Sequence, residues 1–220
     1  MVQLCNELAV HCLARDSNLP IPDCYLGLVR PGILALQKAP KTSDGSRLVF
    51  ISVDVKVPNV TYKWTGADEV GKGCLIAEIA KWNDLGRLYA FDSWVANVDR
   101  NTGNLLFGGD NEYWIIDHGH CFTGPEWQPN KLDPSVEYLN KLGLWVTRYL
   151  STDQKKACAR AARSFGAEIL GYDATNVAQN SRVSNLLPLQ YVDALKLFLE
   201  TRPAKVPIHA SKALGVPQLV

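Results

Sequence analysis

The stretch that decides the fold runs from Phe91 to Gly119 and reads FDSWVANVDRNTGNLLFGGDNEYWIIDHG. An apolar segment leads into the polar loop VDRNTG, and two short apolar runs, NLLF and EYWIID, follow with GGDN between them. This order predicts a buried helix, a loop and a β-hairpin. Asp99 lies in the loop, and Asn104 and Asp117 stand at the two open ends of the hairpin. We therefore expect these three side chains to converge at one mouth.

A carboxylate, an amide oxygen and a second carboxylate at one mouth suit Mg²⁺ or Mn²⁺, because these hard cations keep several waters and take phosphate oxygens as further ligands. The same set suits phosphoryl transfer, in which one Asp orients the acceptor hydroxyl while Asn and Asp hold the metal. Each residue alone has a simpler explanation. Asp99 could form an Asx turn, Asn104 could be a turn residue at the strand entry, and Asp117 could cap a strand end. Their joint placement favours the catalytic interpretation.

The wording of this stretch resembles a known kinase family. Asp99 and Asn104 have the D-x4-N spacing of protein-kinase catalytic loops, and Asp117-His118-Gly119 stands where those kinases have Asp-Phe-Gly. The sequences FDSWVANVDRNTGNLLF and WIIDHGHCF look most like HipA-like kinases. Similar N-x-D-R and I-D-H-G patterns occur in phosphatidylinositol kinases of the same broad fold. NELAVHCLARDSNLPIPDCYL also resembles the HipA-like helix with its Glu, followed by LPxP and a strand, so that the likeness covers roughly residues 3–150.

The resemblance implies an α+β, protein-kinase-like fold with a curtailed N-lobe and a mostly helical C-lobe. It also implies ATP and Mg²⁺ as cofactors, Asp99 as the catalytic base, and Asn104 and Asp117 as the residues that bind the metal and the nucleotide. The reaction would move the γ-phosphoryl group of ATP to a hydroxyl, with protein Ser/Thr as the acceptor. By the same likeness, residues 1–66 form the partial N-lobe, residues 67–203 form the C-lobe with catalytic loop and hairpin, and residues 204–220 form a tail.

One departure from the family pattern concerns the lysine that pairs with the ATP phosphates. Family members carry it on a strand before the helix with which this sequence begins, so we expect that strand and the phosphate loop to be missing here. Lys56 lies within a predicted strand, but its position after the LPxP segment matches a hinge-side strand better than the family's lysine strand. Glu7, the family's partner for the lysine, is then at least as well explained as a solvent-exposed residue. A misplaced start, a partner chain and a degenerate kinase all remain open. The alternative function is therefore a pseudokinase or split-kinase subunit that acts as a binding module.

His118 and His120 raise a further alternative, a metal-dependent phosphohydrolase that uses them together with Asp99 and Asp117. A zinc site has little support, since the remaining two histidines lie near opposite ends of the chain. We expect His118 to pack within its loop, as the middle residue of Asp-Phe-Gly does. We interpret Arg100 as a surface or salt-bridging residue, although the family-like N-x-D-R wording favours a role in shaping the loop.

Periodicity predicts the remaining elements. Expected helices cover residues 3–15, 135–150, 152–170 and 187–200, with one or two buried helices over 74–97 and the tryptophans in the core. Expected strands cover 24–29 and 47–57. Residues 57–73 are predicted as a loop, and residues after 203 as a loosely packed tail.

Composition narrows the class of protein. Of 220 residues 47% are apolar and 20% are charged, with a formal net charge of +1, which favours a packed core. The absence of a basic block argues against nucleic acid as a partner. The first residues form an amphipathic helix and no apolar run approaches a membrane span, so no membrane association is expected. The six cysteines form no CxxC pair and are expected as small buried groups in a reducing cytoplasm. Expected partners are ATP and a protein substrate or partner chain.

Overall fold

The computed structural model describes residues 1–109 and 112–217, and within them the chain is an α+β protein with two small sheets. The helices of the described ranges are α1 (Val2–Asp16), α2 (Val60–Trp64), α3 (Glu69–Ile79), α4 (Leu85–Trp94), α5 (Leu142–Trp145), α6 (Thr152–Glu168), α7 (Ala174–Asn180), α8 (Val183–Leu186), α9 (Leu189–Thr201) and α10 (Val206–Ala213). The strands are β1 (Cys24–Val29), β2 (Arg47–Ser52), β3 (Leu105–Gly109) and β4 (Glu112–Ile115). Short 3-10 turns occur at Thr102–Asn104, Pro129–Lys131, Thr147–Tyr149 and Arg202–Lys205.

Both sheets are antiparallel pairs. β1 pairs with β2 so that Cys24 lies opposite Ser52, although β2 ends five residues before the predicted end at residue 57. β3 pairs with β4 so that Leu105 lies opposite Ile115, with an irregularity in register near the tip. This confirms the predicted hairpin. Two residues of the predicted GGDN turn, Asp110 and Asn111, lie outside the described residues.

Helix α4 lies at the centre of the core. All but one of its residues are buried, and it packs against α6 and α10. A Cβ built on Gly86 would come within 2.6 Å of the main-chain oxygen of Cys158, so only glycine permits this close approach of α4 to α6. The indole of Trp94 donates to the carbonyl of Leu199 at 3.0 Å, which satisfies its buried N–H. The predicted core tryptophans Trp82, Trp94, Trp127 and Trp145 are buried, and Trp114 is half-buried.

Two helices replace the loop predicted for residues 57–73, and that prediction is wrong. The side chain of Asn59 accepts a hydrogen bond from the backbone N–H three residues later, at the start of α2. Asp68 does the same at the start of α3, at 2.8 Å. Each side chain satisfies an N–H group that the first turn of a helix leaves unpaired. The polar character of the segment therefore reflects helix capping rather than a loop.

The helix predicted for residues 135–150 is reduced to α5 and a 3-10 turn. The buried guanidinium of Arg202 donates to the carbonyls of Pro134 and Val136 at 3.1 and 2.7 Å. Those carbonyls lie in the stretch predicted as helix or just before it, and a partner from a distant element replaces helical hydrogen bonds there. The local pattern could not indicate a partner 66 to 68 residues away.

The tail predicted after residue 203 is instead a packed element over most of its length. Helix α10 follows a 3-10 turn and packs against α4 and α6 with Val206, Ala210 and Leu214 fully buried. Pro207 stands in its first turn, where the missing N–H costs nothing. Residues 218–220 of the predicted tail lie outside the described residues. The short helices α7 and α8 were also not predicted.

Candidate functional site

The loop after α4 is held in place by a buried polar network. Asn97 donates through Nδ2 to the carboxylate of Asp92 at 3.1 Å, and its Oδ1 accepts from the backbone N–H of Asp99 at 2.9 Å. Asp92 lies on α4 and is fully buried. The position of Asp99 is therefore set by the helix that precedes it.

Arg100 ties this loop to the hairpin. Its side chain is fully buried, and its Nε and Nη2 atoms each donate to a different oxygen of Asp92 at 3.0 Å. Its Nη1 donates to the carbonyls of Asn104 and Ile116 at 2.7 and 3.0 Å. Burial alone would lower the pKa of Arg100, but the charge of Asp92 raises it above its ordinary value. One guanidinium therefore joins α4 to both open ends of the hairpin. The expectation of a salt-bridging Arg100 is confirmed, and the expectation of a surface position is wrong.

Asn104 is buried at the entry of β3 and contacts Asp99 directly. Its Nδ2 donates to the main-chain carbonyl of Asp99 at 2.8 Å, and its own carbonyl accepts from the N–H of Ile116 at 3.2 Å. Because the amide nitrogen is engaged, the amide oxygen is the atom of this side chain that remains for a cation.

Asp117 follows Ile116 at the end of the hairpin and is exposed. Its φ of 56° lies in the left-handed region, which Asp tolerates better than most residues. Within residues 1–109 and 112–217 its carboxylate accepts no hydrogen bond. The backbone pairing of Ile116 with Asn104 places Asp117 beside Asn104, which in turn contacts Asp99. The hairpin pairing and the contact of Asn104 with the main chain of Asp99 thus bring the backbone of the three predicted residues into one region.

The carboxylate of Asp99 is partly exposed and forms a close ion pair with Lys141. Partial burial acts to raise the pKa of Asp99, but Lys141 and Asn101 outweigh it and lower the pKa below its ordinary value. Sequence reasoning did not single out Lys141, which lies 42 residues further along the chain. No local signal marks it, because only the tertiary fold brings it to Asp99.

Glu7 on α1 contacts the loop that carries Asp117. Its Oε2 accepts from the backbone N–H of His118 at 2.9 Å, and only 13% of its side chain is exposed. Burial raises the pKa of Glu7 to about 7, and the neighbouring Asp117 adds to this, although the backbone groups of His118 and Gly119 act in the opposite direction. The alternative of a solvent-exposed Glu7 is wrong.

The comparison with known proteins concerns the first three fifths of the chain. A family model described as HipA-like kinase matches residues 1–133, which is more than half of the 220 residues. The chain belongs to the HipA-like kinase family. The matched range contains Glu7, Asp99, Asn104 and Asp117, and the family indicates a kinase-type function. No curated protein matches the chain.

Within the part of the chain that the structure describes, His118 and His120 of this HipA-like kinase do not complete a cluster of metal ligands. His118 is fully buried within its loop, as predicted, and burial together with Arg100 and His11 lowers its pKa well below the ordinary value. Its Nε2 has no hydrogen-bond partner in the described part of the chain. Across residues 1–109 and 112–217, no three side chains among His, Cys, Asp and Glu group together in a way that could hold a metal ion. The phosphohydrolase alternative therefore gains no support from the geometry.

A cavity of about 230 Å³ adjoins the loop that carries Asp117 and His118 in this HipA-like kinase. Glu7, Asp117 and His118 form its polar wall. The rest of its lining is mostly apolar and consists of Ile21, Pro22, Phe50, Ser52, Ile115 and Ile116. A mostly apolar cavity with two acidic side chains in its wall suits a ligand that has both an apolar and a polar part.

Two general features complete the description of this HipA-like kinase. All six cysteines are free thiols, of which Cys5, Cys121 and Cys158 are buried. In the described ranges, no helix combines the length and the apolar character that crossing a membrane requires.

Proposed function

We propose that this HipA-like kinase transfers the γ-phosphoryl group of ATP to a hydroxyl, with protein Ser/Thr as the acceptor. The observation that carries the proposal is the buried Arg100, which donates to the carbonyls of Asn104 and Ile116, the residue before Asp117, while the side chain of Asn104 contacts the main chain of Asp99. Such a fixed polar corner fits phosphoryl transfer, because that chemistry depends on positioning and on compensating charge rather than on covalent participation of the protein. In this proposal residues 1–66 form a partial kinase N-lobe and residues 67–203 a C-lobe.

Asp99 is the catalytic base of the proposal. Its lowered pKa keeps the carboxylate ionised near neutral pH, and its partial exposure leaves it accessible to an acceptor. A base in this state orients the acceptor hydroxyl and takes its proton as the oxygen attacks phosphorus.

Asn104 and Asp117 are the residues that would hold Mg²⁺ and, through it, the nucleotide. The amide oxygen of Asn104 and the carboxylate of Asp117 are hard oxygen ligands on adjacent ends of one hairpin. Two protein ligands fit this ion, which ordinarily completes its octahedron with waters and phosphate oxygens. When bound, the ion would offset the negative charge of the phosphates. The neighbouring cavity would take the base of ATP.

A phosphoryl-transfer assay with two variants tests the assigned roles. We expect Asp99→Asn to abolish transfer while leaving Mg²⁺-dependent ATP binding nearly intact, and Asp117→Asn to abolish both. Asp193→Asn is a matched control, because Asp193 is an exposed carboxylate on α9. Transfer that survives in Asp99→Asn but is lost in Asp117→Asn would contradict the roles, since the base should matter at least as much as a metal ligand.

A second candidate function, a split-kinase subunit that works as a binding module, is favoured by the surroundings of Glu7. A groove of about 370 Å³ separates α1 from β2, with Gln3 and Glu7 on one wall and Leu48 and Phe50 on the other. Among the residues that the structure describes, the adjacent sheet consists of two strands, and two-stranded sheets are marginally stable alone. An added strand that brings a cation to Glu7 would fill this groove. In that case ATP binding should appear only after a second polypeptide is supplied, and a pseudokinase would bind ATP without transferring phosphate.

A further inference from the structure

A cation from outside the family-matched region reaches the proposed catalytic base. Lys141 lies beyond residues 1–133, and its Nζ forms an ion pair with Oδ1 of Asp99. About a third of the lysine side chain is exposed. The nearest alternative cation, Arg100, is fully buried and directed at Asp92 and two carbonyls instead. His120 is a further titratable group whose charge acts on Asp99.

The residue next to Lys141 is anchored to α4. Asn140 is buried, and its Nδ2 donates to the carbonyl of Tyr89 at 3.0 Å. Its Oδ1 accepts from the N–H of Leu142 at 3.1 Å. The backbone on both sides of Lys141 is therefore fixed relative to the helix that also leads to Asp99.

The segment that leads to Lys141 is held by a second buried side chain. Arg202 donates through Nε to the carbonyl of Ser93 on α4 at 2.7 Å and through Nη1 to the carbonyls of Pro134 and Val136. Such anchoring is unusual for a residue whose only task is a surface ion pair, because an exposed pair contributes little. It is expected for a charge that must be held at a defined place before reaction.

We propose that Lys141 is a catalytic residue whose ammonium contacts the phosphoryl group during transfer. This role rests on the proposed kinase function. A base must lie about 2.6–3.2 Å from the acceptor oxygen, and that oxygen must lie about 3–3.5 Å from phosphorus before reaction. An ammonium in contact with the same carboxylate is therefore close to the phosphoryl oxygens. It has three N–H donors, of which one serves Asp99 and two remain.

The reaction step assigns one task to each group. The bond between the acceptor oxygen and γ-phosphorus forms, the bond from γ-phosphorus to the leaving ADP oxygen breaks, and the acceptor proton moves to Asp99. Lys141 neither gains nor loses a proton. It stabilises the negative charge on the transferring oxygens and keeps Asp99 oriented.

Steady-state kinetics on three variants test this role. Lys141→Met should lower kcat about 100- to 1,000-fold, the usual effect of removing one donor to the developing charge, with a change of less than about threefold in the Kd for MgATP. Lys141→Arg should retain much of the activity because it keeps the cation. Lys212→Met is the matched control, since Lys212 is an exposed lysine paired with Glu137 in the same region, and it should match the wild type.

Chemical rescue separates a catalytic cation from a structural one. Added propylamine should restore part of the kcat of Lys141→Ala, with no effect on Lys212→Ala. The proposal would be overturned if kcat were restored neither by arginine at position 141 nor by propylamine, because the loss of kcat would then come from a disturbed segment. Full kcat in Lys141→Met would also overturn the proposed role of Lys141. If Asp99→Asn lost transfer in the same assay, the proposed kinase function would still stand. A wild type without any transfer overturns the kinase function and the role of Lys141 together.

Discussion

The corner around Arg100 and the β1–β2 sheet differ in how completely the rest of the chain pairs their polar groups and covers their apolar side chains. At the corner a fully buried guanidinium meets a carboxylate and two carbonyls, all within 3.0 Å. In the sheet both strands leave large apolar side chains exposed, including Tyr25 at 60% and Leu28 at 58%. The corner around Arg100 is thus built into the core, whereas the β1–β2 sheet beside α1 has surface available for further contacts. In the proposed kinase, the positioning of Asp99 and the binding of the nucleotide therefore depend on different parts of the molecule and can be lost independently.

The largest effect is expected from removing the cation of the corner. Arg100→Met leaves the buried carboxylate of Asp92 without its charged partner and should lower the free energy of unfolding by about 3–5 kcal/mol, measured by urea denaturation. The double variant Arg100→Met/Asp92→Leu should recover at least half of that loss, because no buried charge remains. Mg²⁺-dependent ATP binding should stay lost in the double variant. Binding that returns with stability would show that Arg100 supports the fold and not the geometry of the corner.

The contact between α1 and the corner predicts a dependence of stability on pH. The folded-state pKa of Glu7, about 7, lies above its ordinary value of 4.5, so the folded protein holds a proton in this interval that the unfolded chain has released. The stability present below about pH 4.5 is therefore lost as pH rises through about 7, by at most roughly 3 kcal/mol. Glu7→Gln should remove this decline, as measured by urea midpoints at pH 5 and pH 7.5.

Glu137→Gln serves as the control for that experiment, because Glu137 is a partly exposed carboxylate paired with Lys212. Its stability should follow the wild type across the interval. If Glu7→Gln also follows the wild type, Glu7 is not held in a buried contact with the loop, and the link between α1 and Asp117 has to be abandoned.

A smaller effect is expected from a glycine-to-alanine substitution made once in the core helix α4 and once in the β1–β2 sheet. Gly86→Ala would place a Cβ 2.6 Å from a main-chain oxygen of α6 and should cost about 2 kcal/mol after repacking. Gly27→Ala meets side-chain atoms of Ile51 at 2.5 Å and of Val49 at 3.0 Å, in the partly exposed sheet where these side chains can shift, and should cost less than about 0.5 kcal/mol. Thermal unfolding of both variants measures the contrast. Equal losses would mean that the sheet is packed as tightly as the core.

The sequence predicted the parts of the molecule that local pattern controls. Helix α1, strand β1 and the β3–β4 hairpin follow from periodicity, and the backbone pairing of Asn104 with Ile116, next to Asp117, follows from the hairpin. The roles of Arg100 and Lys141 could not be predicted, because each depends on a partner brought near only by the folded chain. Helix α10 was overlooked for a related reason, since two prolines obscure its start and its stability comes from packing on α4 and α6.

The most direct test of the central claim is a calorimetric titration of the wild type and Asp117→Asn with ATP in the presence and absence of Mg²⁺. We expect micromolar binding to the wild type that requires Mg²⁺ and is lost in Asp117→Asn. Binding that is the same for both proteins, or that does not depend on Mg²⁺, would contradict a metal corner formed by Asn104 and Asp117. The absence of binding to either protein would contradict the claim that this chain holds the nucleotide by itself.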